Sequence, residues 1–448
     1  MSKTSNHAYV AIGLMLFALF FGAGNLIFPA SLGQHAGTQV WWAILGFVIT
    51  GVGLPILGVM ALGVSGCRDA QELSSRVHPA YGLIYTVLLY LSIGPAFALP
   101  RTGTVSYEIA IKPFLGDPTQ TTLTIFLLIF FAITLWLSIN PQKLLDRIGK
   151  LLTPLLLLAI VALIVKSFIT PLGTYMPPVA PFGTTDSDAI TMGFLDGYNT
   201  MDALASIVFG VIIVQFSVLT GANTKKAILS SMGKASIITM ICLGLVYIFI
   251  ANLGATSVQS IGILDTGAPV LAESAKILFG NAGAIILAVI VLLACLTTSV
   301  GLVTSCATYF QKTFGGLSYK KYAILFTVIS FFVGLWGLKT IIVAAIPILM
   351  FLYPLTIVLI ILAFVGPIFQ NRQCVYAWTM GLTVIPALVS GLETAKISLG
   401  TISSFFANYV PLHTVSMDWI VFGLIGYIIG IFYKAATPKK NTFGKIEA

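Results

Sequence analysis

The chain has 448 residues, 58% hydrophobic and 8% charged, with a mean hydropathy of +1.02. Soluble domains carry about a quarter charged residues, so this composition excludes a soluble fold and places the chain in lipid. The formal net charge of +9 would suggest nucleic acid in a soluble protein. Here the basic residues are better read as cytoplasmic anchors, and no nucleic-acid partner is expected.

Twelve apolar runs are long enough to cross a bilayer as helices: roughly 9–29, 40–63, 80–100, 121–139, 151–168, 192–216, 235–255, 283–309, 322–337, 341–365, 374–392 and 418–434. The first is too long for a signal-peptide core and is read as retained. With the N-terminus in the cytoplasm, 17 of the 23 Lys and Arg residues fall in inner loops or termini. That bias predicts a multi-pass membrane protein with both ends inside. The five cysteines form no CxxC pair and the four histidines are scattered, so neither a disulfide nor a metal cluster is expected from them.

The first run contains Phe20-Phe21-Gly22-Ala23-Gly24-Asn25-Leu26-Ile27-Phe28-Pro29. Two glycines and an asparagine weaken a helix there, and Pro29 has no N–H to give its ladder. Irregular backbone at membrane depth is tolerated only against protein or a wet cavity. The stretch therefore predicts either a binding site or a plain small-residue packing face.

The second run, with Trp41 and Trp42 at its outer end and Gly51, Gly53, Pro55 and Gly58 along it, reads as close-packed scaffold. The polar loop Gly66–Ala80 is expected to hold a short helix. The third run carries Ser92-Ile93-Gly94-Pro95-Ala96-Phe97-Ala98-Leu99-Pro100-Arg101, which must kink or break; Arg101 then either snorkels outward or faces inward. Pro154 in the fifth run and Pro354 in the tenth each precede an apolar half-helix. The segment Thr170–Asp188, rich in Pro and Gly, reads as the boundary between two halves.

The sixth run supplies a counterpart to the first: Asp196-Gly197-Tyr198-Asn199-Thr200-Met201-Asp202, followed by apolar sequence to Phe216. Asp196 is expected at the outer interface, and Asp202 deeper, capping the second half-helix or acting at a site. Two interrupted helices, each first in a block of five, match an inverted-repeat transporter. The expected fold is an all-α membrane protein with a 5+5 repeat plus two extra helices. The first repeat would cover 1–168, an outer connection 169–191, the second repeat 192–365, and two peripheral helices with a basic tail 366–448.

The eighth run holds Ala294-Cys295-Leu296-Thr297-Thr298-Ser299. Each hydroxyl can bond back along its own helix. Alternatively, the threonine oxygens and carbonyls freed in the broken first helix can ligate a small hard cation such as Na⁺.

The stretches at 21–29, 94–102 and 198–202 together resemble the bacterial branched-chain amino acid carriers, over nearly the whole chain. More distantly, Gly24-Asn25 with Phe28-Pro29, and Ala294 to Thr298, are similar to the first and eighth helices of LeuT-type sodium symporters. The resemblance implies a LeuT-type fold and uptake of leucine, isoleucine and valine with a cation. It implies one Na⁺ held by the Thr297 and Thr298 hydroxyls and the carbonyls of Ala294, Ala18 and Phe21. A second ion site would use Asn25 and Asn252. The substrate carboxylate would meet the amides of Gly22, Ala23 and Gly24. Its ammonium would meet carbonyls at Phe20, Phe21, Tyr198, Asn199 and Thr200, and Phe97, Met201 and Ile207 would wall the side chain. No organic cofactor is implied.

Three other readings compete with this one. A channel would want rings of polar residues from repeated subunits, and nothing here repeats that way. An enzyme would want a nucleotide-binding, metal or nucleophile motif, and none of GxxxxGK[ST] or HExxH is present. Proton coupling would need a titrating carboxylate, for which Asp202 and Glu108 are the candidates. The sequence says nothing of oligomeric state.

Overall fold

The computed structural model describes residues 6–139, 158, 161–162 and 165–436. The described residues are helical wherever they are regular. The chain runs α1 (Asn6–Phe20), α2 (Ala23–Ala36), α3 (Val40–Val48), α4 (Leu54–Ser65), α5 (Ala70–Ser75), α6 (Pro79–Leu91), α7 (Ala98–Ala110) and α8 (Gln120–Ser138). It continues with α9 (Asp186–Asp196), α10 (Asp202–Leu219), α11 (Lys225–Ile261), α12 (Gly267–Phe314), α13 (Tyr319–Gly334), α14 (Leu338–Val365), α15 (Gln373–Thr394), α16 (Thr401–Tyr409) and α17 (Trp419–Ala436). Each expected apolar run coincides with helix except the fifth, which lies largely outside the described residues, as does Pro154. By length and composition, 8 helices among the described residues can cross a membrane, with shorter apolar helices at Tyr9–Phe20 and Trp419–Ala435.

Two compact units form, one of Met1–Val59 with Tyr90–Ala345, the other of Met60–Leu89 with Ile346–Ala448. In the first, close backbone approach does the packing, because lipid offers no hydrophobic drive between helices. A Cβ on Gly33 of α2 would stand 2.8 Å from the carbonyl carbon of Ala251 on α11. One on Gly254 of α11 would stand 3.0 Å from that of Ala30 on α2. We expect Gly33→Val or Gly254→Val to part the two helices at a cost of at least about 1–3 kcal/mol. A lowered melting temperature in detergent checks this. Gly244→Ala, on α11 with nothing within 4 Å, is the neutral control.

Three departures from helix shape this unit. Between α1 and α2 the backbone breaks at Phe21 and Gly22. Between α6 and α7 a wide turn over Ser92–Ala96 contains Gly94 in a non-helical conformation (φ −94°, ψ −122°), and α7 starts afresh at Ala98. Pro95 has no N–H to continue the ladder, and Sγ of Cys306 lies where a Gly94 side chain would go. Between α9 and α10 a single 3₁₀ turn, Gly197–Thr200, ends at Met201 in the left-handed region (φ 64°).

The helix at 267–279, ahead of a bend at Gly280 (φ 65°), was not expected; polar Glu273, Ser274 and Lys276 hide it from an apolar-run reading. The connection after Thr170 is irregular, as its Pro and Gly content predicts. It folds onto the end of α2, where the Thr38 amide donates to the Met176 carbonyl at 2.9 Å and the Val179 amide to the His35 carbonyl at 2.8 Å.

In the second unit α15 and α17 pack through Gly426 and Gly430, which lie against the backbone at Thr379 and Val375. The expected short helix after Gly66 is α5, whose first turn is capped by Asp69 accepting from the Glu72 amide at 2.9 Å. Arg76 is held by the Ser65 carbonyl (2.8 Å), Asn371 (3.0 Å) and the Tyr376 hydroxyl (3.1 Å).

Candidate functional site

The two breaks in α1/α2 and α9/α10 meet at a cavity within the first unit. A broken helix exposes the last carbonyls of one half and the first amides of the next. At the first break the Gly22 amide would bond the Ala18 carbonyl in a continuous helix. Instead it donates to Oδ1 of Asn25 at 3.0 Å, and the Phe21 amide closes onto the Phe17 carbonyl at 2.7 Å. The Asn25 amide nitrogen donates to Oδ2 of Asp202 and to the Tyr247 hydroxyl oxygen. The Tyr247 hydroxyl in turn donates to Asp202 Oδ2 at 3.1 Å. Asn25, Asp202 and Tyr247 are 2%, 4% and 0% exposed, so one buried cluster ties both breaks to α11.

The cavity is small, about 30 Å³. That holds roughly two waters. Its polar wall comes from Gly22, Gly24, Asn25, Arg101, Thr200, Asp202 and Thr298. Phe20, Ile93, Met201, Ala205, Phe209 and Leu302 make the apolar part.

Thr298 reaches the cavity from α12. Its neighbours satisfy themselves: Thr297 donates to the Ala294 carbonyl at 2.7 Å and Ser299 to the Leu296 carbonyl at 2.8 Å. The buried Thr298 Oγ1 has no hydrogen-bond partner among the described residues. It faces the first break, 2.8 Å from where a Cβ on Gly22 would stand. Only a residue without a side chain lets the hydroxyl come so close.

Arg101 faces inward at 3% exposure. The broken turn before α7 aims it across the cavity. Its Nη1 donates to the Asn199 carbonyl at 2.7 Å and its Nη2 to the Thr200 carbonyl at 3.3 Å, while its guanidinium lies over the Phe28 ring at 5.0 Å.

The structure therefore brings Phe20, Gly22, Ala23, Gly24, Asn25, Thr200, Met201 and Thr298 to one cavity. Phe21, Phe97, Tyr198, Asn199 and Ile207 do not line it, nor do Ala18, Ala294 and Thr297. Tyr198 packs edge-on against Phe194, and Ile207 is fully buried in the bundle. The Asn199 and Thr200 carbonyls, expected to face an ammonium, accept from Arg101 instead. Asn252 is bonded by the Tyr175 hydroxyl at 2.6 Å, and the partner of Asn25 on that helix is Tyr247. Asp202 starts α10 but turns its carboxylate to Asn25 and Tyr247 rather than capping backbone amides. Glu108 lies outside the cavity and pairs with Lys112 at 2.8 Å. The inward role of Arg101, left open by the sequence, follows from the Gly94-Pro95 break.

Two interrupted helices closing on a cavity, opposite a hydroxyl-bearing third helix, make a LeuT-type membrane fold. Solved structures share that fold. They include MhsT in complex with L-phenylalanine (TM-score 0.55, 19% identity, 95% of this chain and 98% of that one) and Mhp1, a nucleobase-cation-symport-1 family transporter (TM-score 0.61, 14% identity, 98% and 94%). The family model described as branched-chain amino acid transport protein matches residues 5–437, and the chain belongs to that family. It is 46% identical over 422 residues to the branched-chain amino acid permease BraB of Bacillus subtilis (strain 168), covering 94% of each chain. It is 43% identical over 438 residues to BrnQ of the same organism, covering 96% of this chain and 99% of that one. The protein is an amino acid transporter and not an enzyme.

Proposed function

We propose that this protein imports leucine, isoleucine and valine by Na⁺ symport, by alternating access around the α1/α2 and α9/α10 breaks. It would work in the bacterial plasma membrane with both termini in the cytoplasm. The names of its relatives support the substrate class. The observation that carries sodium is the Thr298 hydroxyl, buried, without a partner and turned to the first break. In this reading the carbonyls of Ala18 and Phe21, at the end of α1, would supply further neutral oxygens. The Thr297 hydroxyl donates to the Ala294 carbonyl yet keeps its own lone pairs for an ion.

The substrate carboxylate is attracted to the amide end of α2, the positive end of its dipole. The apolar wall takes the branched side chain. Such a wall separates side chains differing by one methylene by only about 1–3 kcal/mol, so the three substrates overlap. A space of roughly two waters does not admit a branched amino acid, so loading requires the walls to part. The breaks are where the half-helices can hinge.

Proton coupling is the second reading. Asp202 is a carboxylate buried at the cavity wall, and the Glu108–Lys112 pair leaves it as the candidate. Uptake of leucine into proteoliposomes under an imposed Na⁺ gradient, against an equal proton gradient, decides between them. We expect sodium to drive it. Asp202→Asn keeps an oxygen for Asn25 and Tyr247 to bond, so the sodium stimulation should persist. Uptake driven only by protons, and lost in Asp202→Asn, would overturn the sodium reading.

A further inference from the structure

Arg101 is the basic residue among those that line the cavity, and Asp202 the acidic one. An arginine keeps its charge at every physiological pH, and burying it is costly without partners. The carbonyls of Asn199 and Thr200 and the face of Phe28 supply them here. Those two carbonyl contacts use two of the five guanidinium N–H donors. The side chain is also turned to the opposite wall. Its Nη2 is 2.9 Å from where a Cβ on Gly24 would stand, so the guanidinium lies directly against the first turn of α2.

Two features that favour an anion thus converge on one corner of the cavity. One is a planar fork of donors, the geometry that matches a carboxylate's two oxygens. The other is the start of a 14-residue helix whose first amides lack intrahelical partners. Gly24 leaves the room between them. Asp202 lies on the same wall and interacts electrostatically with Arg101, while its Oδ2 accepts from Asn25 and Tyr247.

We propose that Arg101 recognises the α-carboxylate of the substrate, so that the carrier takes free amino acids and rejects their amides and esters. This rests on the amino acid reading above and names the residue that sets its charge requirement. On loading, the carboxylate takes up guanidinium N–H donors now spent on the Asn199 and Thr200 carbonyls. Those carbonyls, at the end of the outer half-helix, are thereby released toward the substrate ammonium. The arginine acts as a stand-in cation at the second break until substrate arrives.

The test compares leucine with leucinamide and leucine methyl ester, which keep the ammonium and lose the carboxylate charge. Uptake of leucine by the wild-type carrier is measured first; its absence would strike the substrate reading and not the role of Arg101. Competition against radiolabelled leucine, by uptake and by scintillation-proximity binding to purified carrier, then gives the ratio of the three compounds. We expect leucine to compete about 100-fold better than the amide or ester in the wild type. In Arg101→Gln the advantage should collapse to within a few-fold. In Arg101→Lys, which keeps the charge but not the fork, it should fall about tenfold, and this variant serves if the glutamine variant does not fold. An amide that competes as well as leucine in the wild type would overturn the proposal. So would a ratio unchanged in both variants, because a purely structural arginine weakens acid and amide alike.

Discussion

Replacing Thr298 by valine is expected to remove the sodium stimulation of leucine uptake, by about 10- to 100-fold, without destabilising the carrier. Both halves of that expectation come from the hydroxyl's surroundings. A threonine inside a membrane helix usually donates to a carbonyl one turn back, as Thr297 and Ser299 do on either side. Thr298 Oγ1 does not, and it is buried. A buried hydroxyl without a partner costs about 1–3 kcal/mol. Valine has the same shape and no hydroxyl, so the empty carrier should be as stable as wild type or slightly more so. A hydroxyl kept only for structure would give the opposite sign. Thr298→Ser keeps the oxygen and should keep sodium dependence. The measurements are initial uptake rates against Na⁺ concentration and the melting temperature with and without Na⁺. In wild type Na⁺ should raise the melting temperature; in Thr298→Val it should not, because an ion that binds only the folded state stabilises it by mass action. Full sodium stimulation in Thr298→Val would remove the ion from this place.

The breaks were legible in the sequence because they violate a local rule. Gly22, Gly24 and Pro29 in the first run, and the Asp196–Asp202 stretch in the sixth, deny the helix its residues where lipid demands one. The identity of the site was less legible. Asn25 and Asp202 each stood out, yet their bonding lies 177 residues apart in the chain and no periodicity announces it. Tyr247, a tyrosine on an ordinary apolar helix, gave no hint at all. Asn252 is held by Tyr175 from the outer connection, a contact that no pattern in the sequence announces. The side chains proposed as walls, Phe97 and Ile207, were chosen by nearness in sequence to the breaks. The kink at Gly94 and the turn of α10 place Ile93 and Phe209 at the cavity instead. Distinguishing Thr297 from Thr298 also needed coordinates, since adjacent residues on a helix point about 100° apart.

Asn25 should be the most costly single residue to lose. Its side chain accepts from the Gly22 amide, donates to Asp202 and donates to Tyr247, and it is 2% exposed. Asn25→Ala leaves an amide of the broken turn without its acceptor and a buried carboxylate with one donor fewer. Each loss is unfavourable, and leaving a buried polar group without its hydrogen-bond partner costs about 1–3 kcal/mol. We expect leucine uptake in Asn25→Ala to fall more than about 100-fold and the melting temperature in detergent to drop clearly below that of Thr298→Val. The two losses can be separated. Adding Asp202→Asn replaces the buried carboxyl that lost its donor, so the double variant should recover part of the stability, with an interaction energy of about 0.5–3 kcal/mol. Uptake should not recover, because the Gly22 amide still lacks Asn25 and the first break is no longer held in shape. Were the double variant no more stable than Asn25→Ala, the Asn25–Asp202 contact would not be what ties the two breaks together. Were Asn25→Ala to transport normally, the geometry of the first break would be set by the packing of α2 against α11 through Gly33 and Gly254 alone.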